Sequence, residues 1–321
     1  MTAGKTKERA ASTDGPPRAK WPEPDTPRSP RRISELRFAW LLVLPGLALL
    51  LAIVVYPLIK SLSFAFFDEN LLYPGGEFVG FANIIDVLTG DFAQLLWQTL
   101  IFTVGATAAS YGLGLGLALK LNNKLKGTSI FRGAFLFPWL LPSVVVSFLW
   151  MWIFDANYGV LNGILQQLSI IDGPHTWLSD TAFARTALVV AKSWNSFPWI
   201  MVMILATLQT IPKDLYEAAA LDGAGTVRRF RCVTWPHIRG MTGIILLLEF
   251  IWNFQHFDLI YVVTGGGPAG TTNTLATALY DAAFKGYDLG KAGAIGVIWV
   301  VILMLLVVLY VKFSEPKEAG R

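Results

Sequence analysis

Lys192, Asn195, Ser196 and Trp199 stand at i, i+3, i+4 and i+7 within one apolar run. That spacing puts four side chains on one face of a helix. Glu249, Asn253 and His256 repeat the pattern at i, i+4 and i+7 in a second run. Ionisable groups inside apolar helices are costly and rarely face lipid, so two such stripes predict a shared wet cavity. Lys192 and Glu249 are expected to compensate each other there, either around a ligand or as a purely structural buried pair. Gln255 and Asp258 belong at the mouth of the same cavity.

The elements that must position these stripes are membrane helices. Of 321 residues, 54% are hydrophobic and 15% charged, with a mean hydropathy of +0.52. A soluble domain carries about a quarter charged residues. Apolar runs at about 38–59, 95–119, 133–154, 183–209, 241–263 and 292–312 each reach the ~20 residues a helix needs to cross hydrocarbon. The fold class is therefore all-α and integral to the membrane, with six transmembrane helices over 38–312. Residues 1–37, rich in Pro, Arg and Lys, are expected to be a disordered cytoplasmic tail, too polar for a cleaved leader; 313–321 is a second tail. Twenty-one of the 26 Lys and Arg fall in the two tails, at Lys312 closing the last run, and in the loops 120–132 and 211–240. The positive-inside rule makes that side cytoplasmic, so the basic balance reflects topology and lipid contact rather than nucleic acid.

Within the 211–240 loop lies a hydrophilic hairpin, EAAALDGAGTVRRFRCVTWP, from Glu217 to Pro236. Pro212 suits a first helical turn, Asp214 and Glu217 suit the positive N-terminal end, and Gly223 is a C-terminal stop. Thr226 reads as the cap of a second short helix, which Pro236 breaks before the fifth span. Arg228, Arg229 and Arg231 fit an ordinary loop lying on anionic lipid. A helix, a tight glycine turn and a second helix are more than a bare connector requires, so the hairpin reads as a docking surface.

Glu217, Ala218, Ala219, Asp222, Gly223, Ala224, Phe230 and Pro236 resemble the EAA loop of permease subunits of bacterial binding-protein-dependent ABC importers. Tyr56-Pro57, the Trp194–Pro198 stretch, Tyr261–Pro268 and Ala283–Gly286 resemble the sugar-importing branch, its MalF-like or UgpA-like subunit. The resemblance implies the type I ABC importer permease fold. It also implies that Glu217, Ala218, Ala219, Asp222, Gly223 and Ala224 form a coupling helix seated in a cytoplasmic ABC ATPase dimer. ATP and Mg would be used there, and this chain would bind no cofactor of its own. Further implied partners are a second, homologous permease subunit (MalG-like) and an extracytoplasmic sugar-binding protein. Aligned from Glu217, the resemblance places Lys192, Asn195, Ser196, Trp199, Glu249 and Asn253 along the sugar site. A sugar suits such a wall, because hydroxyl edges need donors and acceptors while a C–H face packs on an indole.

Rival readings are weaker. There is no GxxxxGK[ST] phosphate loop. Gly265, Gly267 and Gly270 match GxGxxG in form only, following a membrane run rather than a soluble strand, and read as a flexible outer turn. One cysteine and three scattered histidines, 175, 237 and 256, offer neither a metal site nor the converging acid and base of a lipid-modifying membrane enzyme. Glycerol-3-phosphate is the rival cargo, favoured by Lys192 and opposed by Glu249. Gly112 and Gly116 read as a close-packing face, Pro138, Pro142 and Pro198 as sites of kinks, and Trp139, Trp150, Trp152 and Trp177 as interfacial anchors.

Overall fold

The computed structural model describes residues 2, 32–122 and 128–314. Most of the tail expected at 1–37, the centre of the 120–132 loop and residues 315–321 lie outside the described residues. Among those described there is no strand, only isolated bridges pairing Phe67 with Phe78 and Asn70 with Asp288.

The chain divides into two units, Met1–Tyr56 and Pro57–Arg321. In the first, α1 (Arg32–Leu50) begins within the stretch expected to be tail, and a widened π turn follows at Leu51–Val55. That turn lies just before Pro57, whose ring would clash with the carbonyl four residues back; an extra residue per turn relieves the clash.

In the second unit the helices are α2 (Tyr56–Ser63, which enters it at Pro57), α3 (Ala82–Thr89), α4 (Phe92–Leu121), α5 (Thr128–Leu140) and α6 (Ser143–Ile153). They continue with α7 (Val160–Gln167), α8 (Thr181–Gln209), α9 (Lys213–Leu221), α10 (Thr226–Arg229) and α11 (Trp235–Phe254). Last come α12 (Asp258–Thr264), α13 (Leu275–Tyr280) and α14 (Leu289–Ser314). Four stretches, Arg37–Phe66, Phe92–Leu121, Thr181–Gln209 and Leu289–Lys312, are long and apolar enough to cross a membrane alone. The other two expected spans are bent pairs: α5 and α6 meet at 96°, and α11 and α12 at 44°.

Prolines explain the first bend and not a second one. Pro142 has no N–H for the carbonyl of Pro138, four residues back, and the chain turns there. Asn195 Nδ2 of α8 donates to that Pro138 carbonyl at 2.8 Å, so the broken helix is sealed from outside. Pro198, by contrast, lies inside an uninterrupted α8.

The centre of this unit is α8 packed along α4. In α4 the buried residues include Thr103, Ala106, Thr107, Ser110, Gly114 and Ala118, a small-residue stripe at three- and four-residue steps. Apolar side chains gain little by leaving lipid for each other, so membrane helices associate by close backbone approach over such stripes. Gly114 is the closest point: a Cβ there would lie 2.7 Å from Ile200 Cγ2 and 3.0 Å from the Phe197 carbonyl. Gly112 and Gly116, expected to form this face, meet nothing within 4 Å. Two residues are some 200° of helical turn, so they point away from it. Below this contact Ile200, Ile204, Ile238 and Ile245 join α8 to α11 in one apolar core.

The outer loops are tied down by polar anchors. Asn162 donates to the carbonyls of Ala156 and His175 and accepts from Trp177 Nε1 at 2.7 Å, so Trp177 is a loop brace rather than a free interfacial anchor. The glycine-rich turn after α12 is likewise pinned rather than flexible. Arg185 Nε donates to the Thr271 carbonyl at 2.8 Å, and Thr272 Oγ1 to that of Gly267 at 2.6 Å. Beyond it, Asp281 accepts from Lys285 Nζ at 2.7 Å and holds that amine's pKa above its usual value.

Gly114→Val is expected to destabilise the chain by about 1–3 kcal/mol through overpacking, whereas Gly112→Ala, which fills open space, leaves the melting temperature in detergent essentially unchanged.

Candidate functional site

Five of the seven residues expected to line a cavity do so. Lys192, Asn195, Ser196 and Trp199 from α8 join His256 around a cavity of about 430 Å³. The stripe works as its spacing requires, because α8 is continuous from Asp180, whose carboxylate caps the N–H groups of Ala182 and Phe183 at 2.8 and 3.2 Å. Gln255, Phe257 and Asp258, in the bend between α11 and α12, complete one side. Trp139 of α5 and Trp252 of α11 were not expected here, yet both line it. Trp139 reads as an anchor in isolation; only the Pro142 bend turns α5 toward α8.

Glu249 and Asn253 lie behind this wall. Both are 1% exposed. Glu249 Oε2 accepts from Trp199 Nε1 at 2.9 Å, and its Oε1 accepts from Asn253 Nδ2 at 3.2 Å. Asn253 Nδ2 also donates to Thr107 Oγ1 of α4 at 3.0 Å. The carboxylate therefore holds an indole in place and links three helices. Trp199 in turn meets Trp252 with ring centroids 5.0 Å apart, which makes an aromatic wall.

Lys192 and Glu249 do not pair directly. Among the described residues the one ion pair within 4 Å is Lys285–Asp281. Glu249 faces the indole and amide donors, while Lys192 opens on the cavity. A contact across the cavity requires the carboxylate on its surface, and it is not there.

The hairpin leaves α8 directly. Pro212 precedes α9, and α9 ends in a Schellman turn: Ala224 N–H donates to the Ala219 carbonyl at 2.9 Å and Gly223 N–H to that of Ala220 at 3.0 Å. Gly223 has φ +71°, a conformation an L side chain resists. Thr226 is not the cap of the next helix; Gly225 occupies that position and Thr226 is the first helical residue. Nor does Pro236 break the chain. A π turn at Phe230–Thr234 absorbs its missing N–H, and helix runs from Thr226 to Phe254. Tyr216 OH lies 3.0 Å from Thr234 Oγ1, and Tyr216 and Ala219 pack on the apolar core below the cavity. The hairpin is thus bolted to the helices that carry both stripes.

Its other face is open. Glu217, Ala218 and Ala220 are exposed, Leu221 is 90% exposed and Val227 66% exposed. Leu221 and Val227 were not singled out in the sequence. Each is an exposed apolar residue in a hydrophilic loop.

Comparison with known proteins decides what such an arrangement belongs to. Residues 110–319 match the family described as binding-protein-dependent transport system inner membrane component. The chain belongs to that family. It is 33% identical over 285 residues to the trehalose/maltose transport system permease protein MalF of Thermococcus litoralis, covering 87% of this chain and 94% of that one. It is also 33% identical over 282 residues to the sulfoquinovosyl glycerol transport system permease protein SmoG of Agrobacterium fabrum, covering 87% and 91%. The fold is shared with a bacterial ABC transporter that imports the acidic polysaccharide alginate, at TM-score 0.78 and 19% identity over 90% of this chain and 100% of the other. The chain is thus a multi-pass permease component of the inner membrane, a transport subunit and not an enzyme.

Glu249→Ala leaves the buried Trp199 indole N–H without its acceptor, a loss of about 1–3 kcal/mol, with a changed near-ultraviolet tryptophan signal. Glu249→Gln keeps one acceptor and is expected to lose less than half as much.

Proposed function

We propose that this chain is the translocating permease subunit of an ATP-driven ABC importer that carries a sugar into the cytoplasm by alternating access. The observation that carries the reading is the direct mechanical path from an open-faced hairpin to a polar, tryptophan-walled cavity. Relatives named for trehalose/maltose and sulfoquinovosyl glycerol support a carbohydrate cargo. Indoles at 139, 199 and 252 offer C–H stacking faces, and Asn195, Ser196 and Gln255 offer hydroxyl partners.

In this reading each bent pair is one crossing, giving six spans with both termini cytoplasmic. The α9 hairpin is the coupling element. Leu221 and the small face of Ala218 and Ala220 seat in a cleft of an ATPase dimer, with Glu217 toward basic residues there. Closure of that dimer on ATP pushes the hairpin, and α8 and α11 tilt about the cavity because Tyr216 and Ala219 fix the hairpin to them. A second, homologous permease completes the pathway, and an extracytoplasmic binding protein delivers the sugar.

The test is recovery of the complex through a tagged chain. Wild type is expected to bring down an ABC ATPase and a second permease, and uptake is lost when that ATPase is deleted. Leu221→Asp and Glu217→Lys should each cut ATPase recovery and uptake at least tenfold, about 1.4 kcal/mol of contact energy, without lowering the melting temperature of the isolated chain. A chain that purifies alone and moves substrate without ATP contradicts the proposal.

A further inference from the structure

We infer that the cavity selects a saccharide or polyol derivative bearing one acidic group, with Lys192 as its counter-ion. This rests on the carbohydrate reading and narrows it. Lys192 is only 8% exposed, midway along a membrane helix, and what exposure it has opens on the cavity. Three neighbouring donors of α8 are engaged: Ser193 with the Val189 carbonyl, Asn195 with that of Pro138 and Trp199 with Glu249. Lys192 has no carboxylate within 4 Å.

Two acids are near enough in the fold to be considered. Glu249 has both oxygens taken, by Trp199 and Asn253, and sits behind the indole wall. Asp258 lines the opposite side of the cavity, half-buried at the start of α12, and is also beyond 4 Å of Lys192. A buried ammonium with no carboxylate in direct contact is expensive, and the Glu249 charge reaches Lys192 only through space. Hydroxyl dipoles of a neutral sugar compensate it weakly. A carboxylate, sulfonate or phosphate oxygen makes a charge-assisted hydrogen bond about twice as strong as a neutral one. One acid suffices, since Lys192 is the one Lys or Arg of the lining, which otherwise holds amide, hydroxyl and indole groups, the Phe257 ring, the His256 imidazole and the Asp258 carboxylate.

The experiment measures ligand binding by tryptophan fluorescence to the membrane complex recovered with the full chain, in nanodiscs and without binding protein. The probes are glucose, glucuronate, 6-deoxy-6-sulfoglucose, glucose 6-phosphate and inorganic phosphate at constant ionic strength. At least one acidic sugar is expected to bind ten or more times tighter than both glucose and inorganic phosphate, and the arm that does so identifies the acid. Lys192→Met should bring that sugar to the level at which the same variant binds glucose, and Lys192→Arg should keep the preference. Equal binding of glucose and all three acids by the wild type overturns the inference and leaves the carbohydrate reading standing. So does a preference that survives in Lys192→Met. Inorganic phosphate binding as tightly as the acidic sugars overturns the polyol half of the inference. Binding of no saccharide at all overturns the carbohydrate reading as well.

Discussion

A polar group carried into hydrocarbon must find a partner within the protein, and this one constraint arranges the centre of the molecule. Pro142 frees a carbonyl and Asn195 takes it. Trp199 turns an N–H inward and Glu249 takes it. Glu249 and Thr107 share the amide of Asn253, which ties α8, α11 and α4 together. All but the Glu249–Asn253 bond within α11 join different helices, so the polar network that makes the cavity possible also sets the geometry of its walls. The close contact at Gly114 lets α4 approach near enough for the network to form.

The same economy links the cavity to the hairpin. No loose linker separates them: α8 runs into α9 through Pro212, and the helix begun at Thr226 runs on into α11. A rigid hairpin held by Tyr216 and Thr234 transmits displacement, whereas a flexible loop would absorb it. The π turn at Phe230–Thr234 accommodates Pro236 while keeping that helix continuous. A clean break there would have separated the hairpin from α11.

Much of this was legible in the sequence. Hydropathy located the apolar runs, because about 20 apolar residues have few other uses. Gly223 announced the Schellman turn, and helical spacing put Lys192, Asn195, Ser196 and Trp199 on one face. The failures have specific causes. Glycine spacing alone does not fix which face is buried, so the contact expected at Gly112 and Gly116 falls instead at Gly114. Periodicity fixes a direction but not depth, so Glu249 and Asn253 were placed on the cavity surface when they lie one layer behind it. Trp139 reaches the cavity only through a 96° bend whose direction no local pattern encodes. Leu221 and Val227 were hidden by their ordinariness; only their exposure on a folded hairpin marks them.

The central claim is that the hairpin and the cavity move as one device. Its most direct test places a single cysteine at Ser196 in a Cys232→Ser background, in the complex reconstituted in oriented vesicles. Reaction with a membrane-impermeant thiol reagent is then timed from each side, with and without a non-hydrolysable ATP analogue. The account predicts that the analogue moves the cysteine's accessibility from the hairpin side to the opposite side, and that Leu221→Asp abolishes the switch. Accessibility that is the same with and without nucleotide would contradict it.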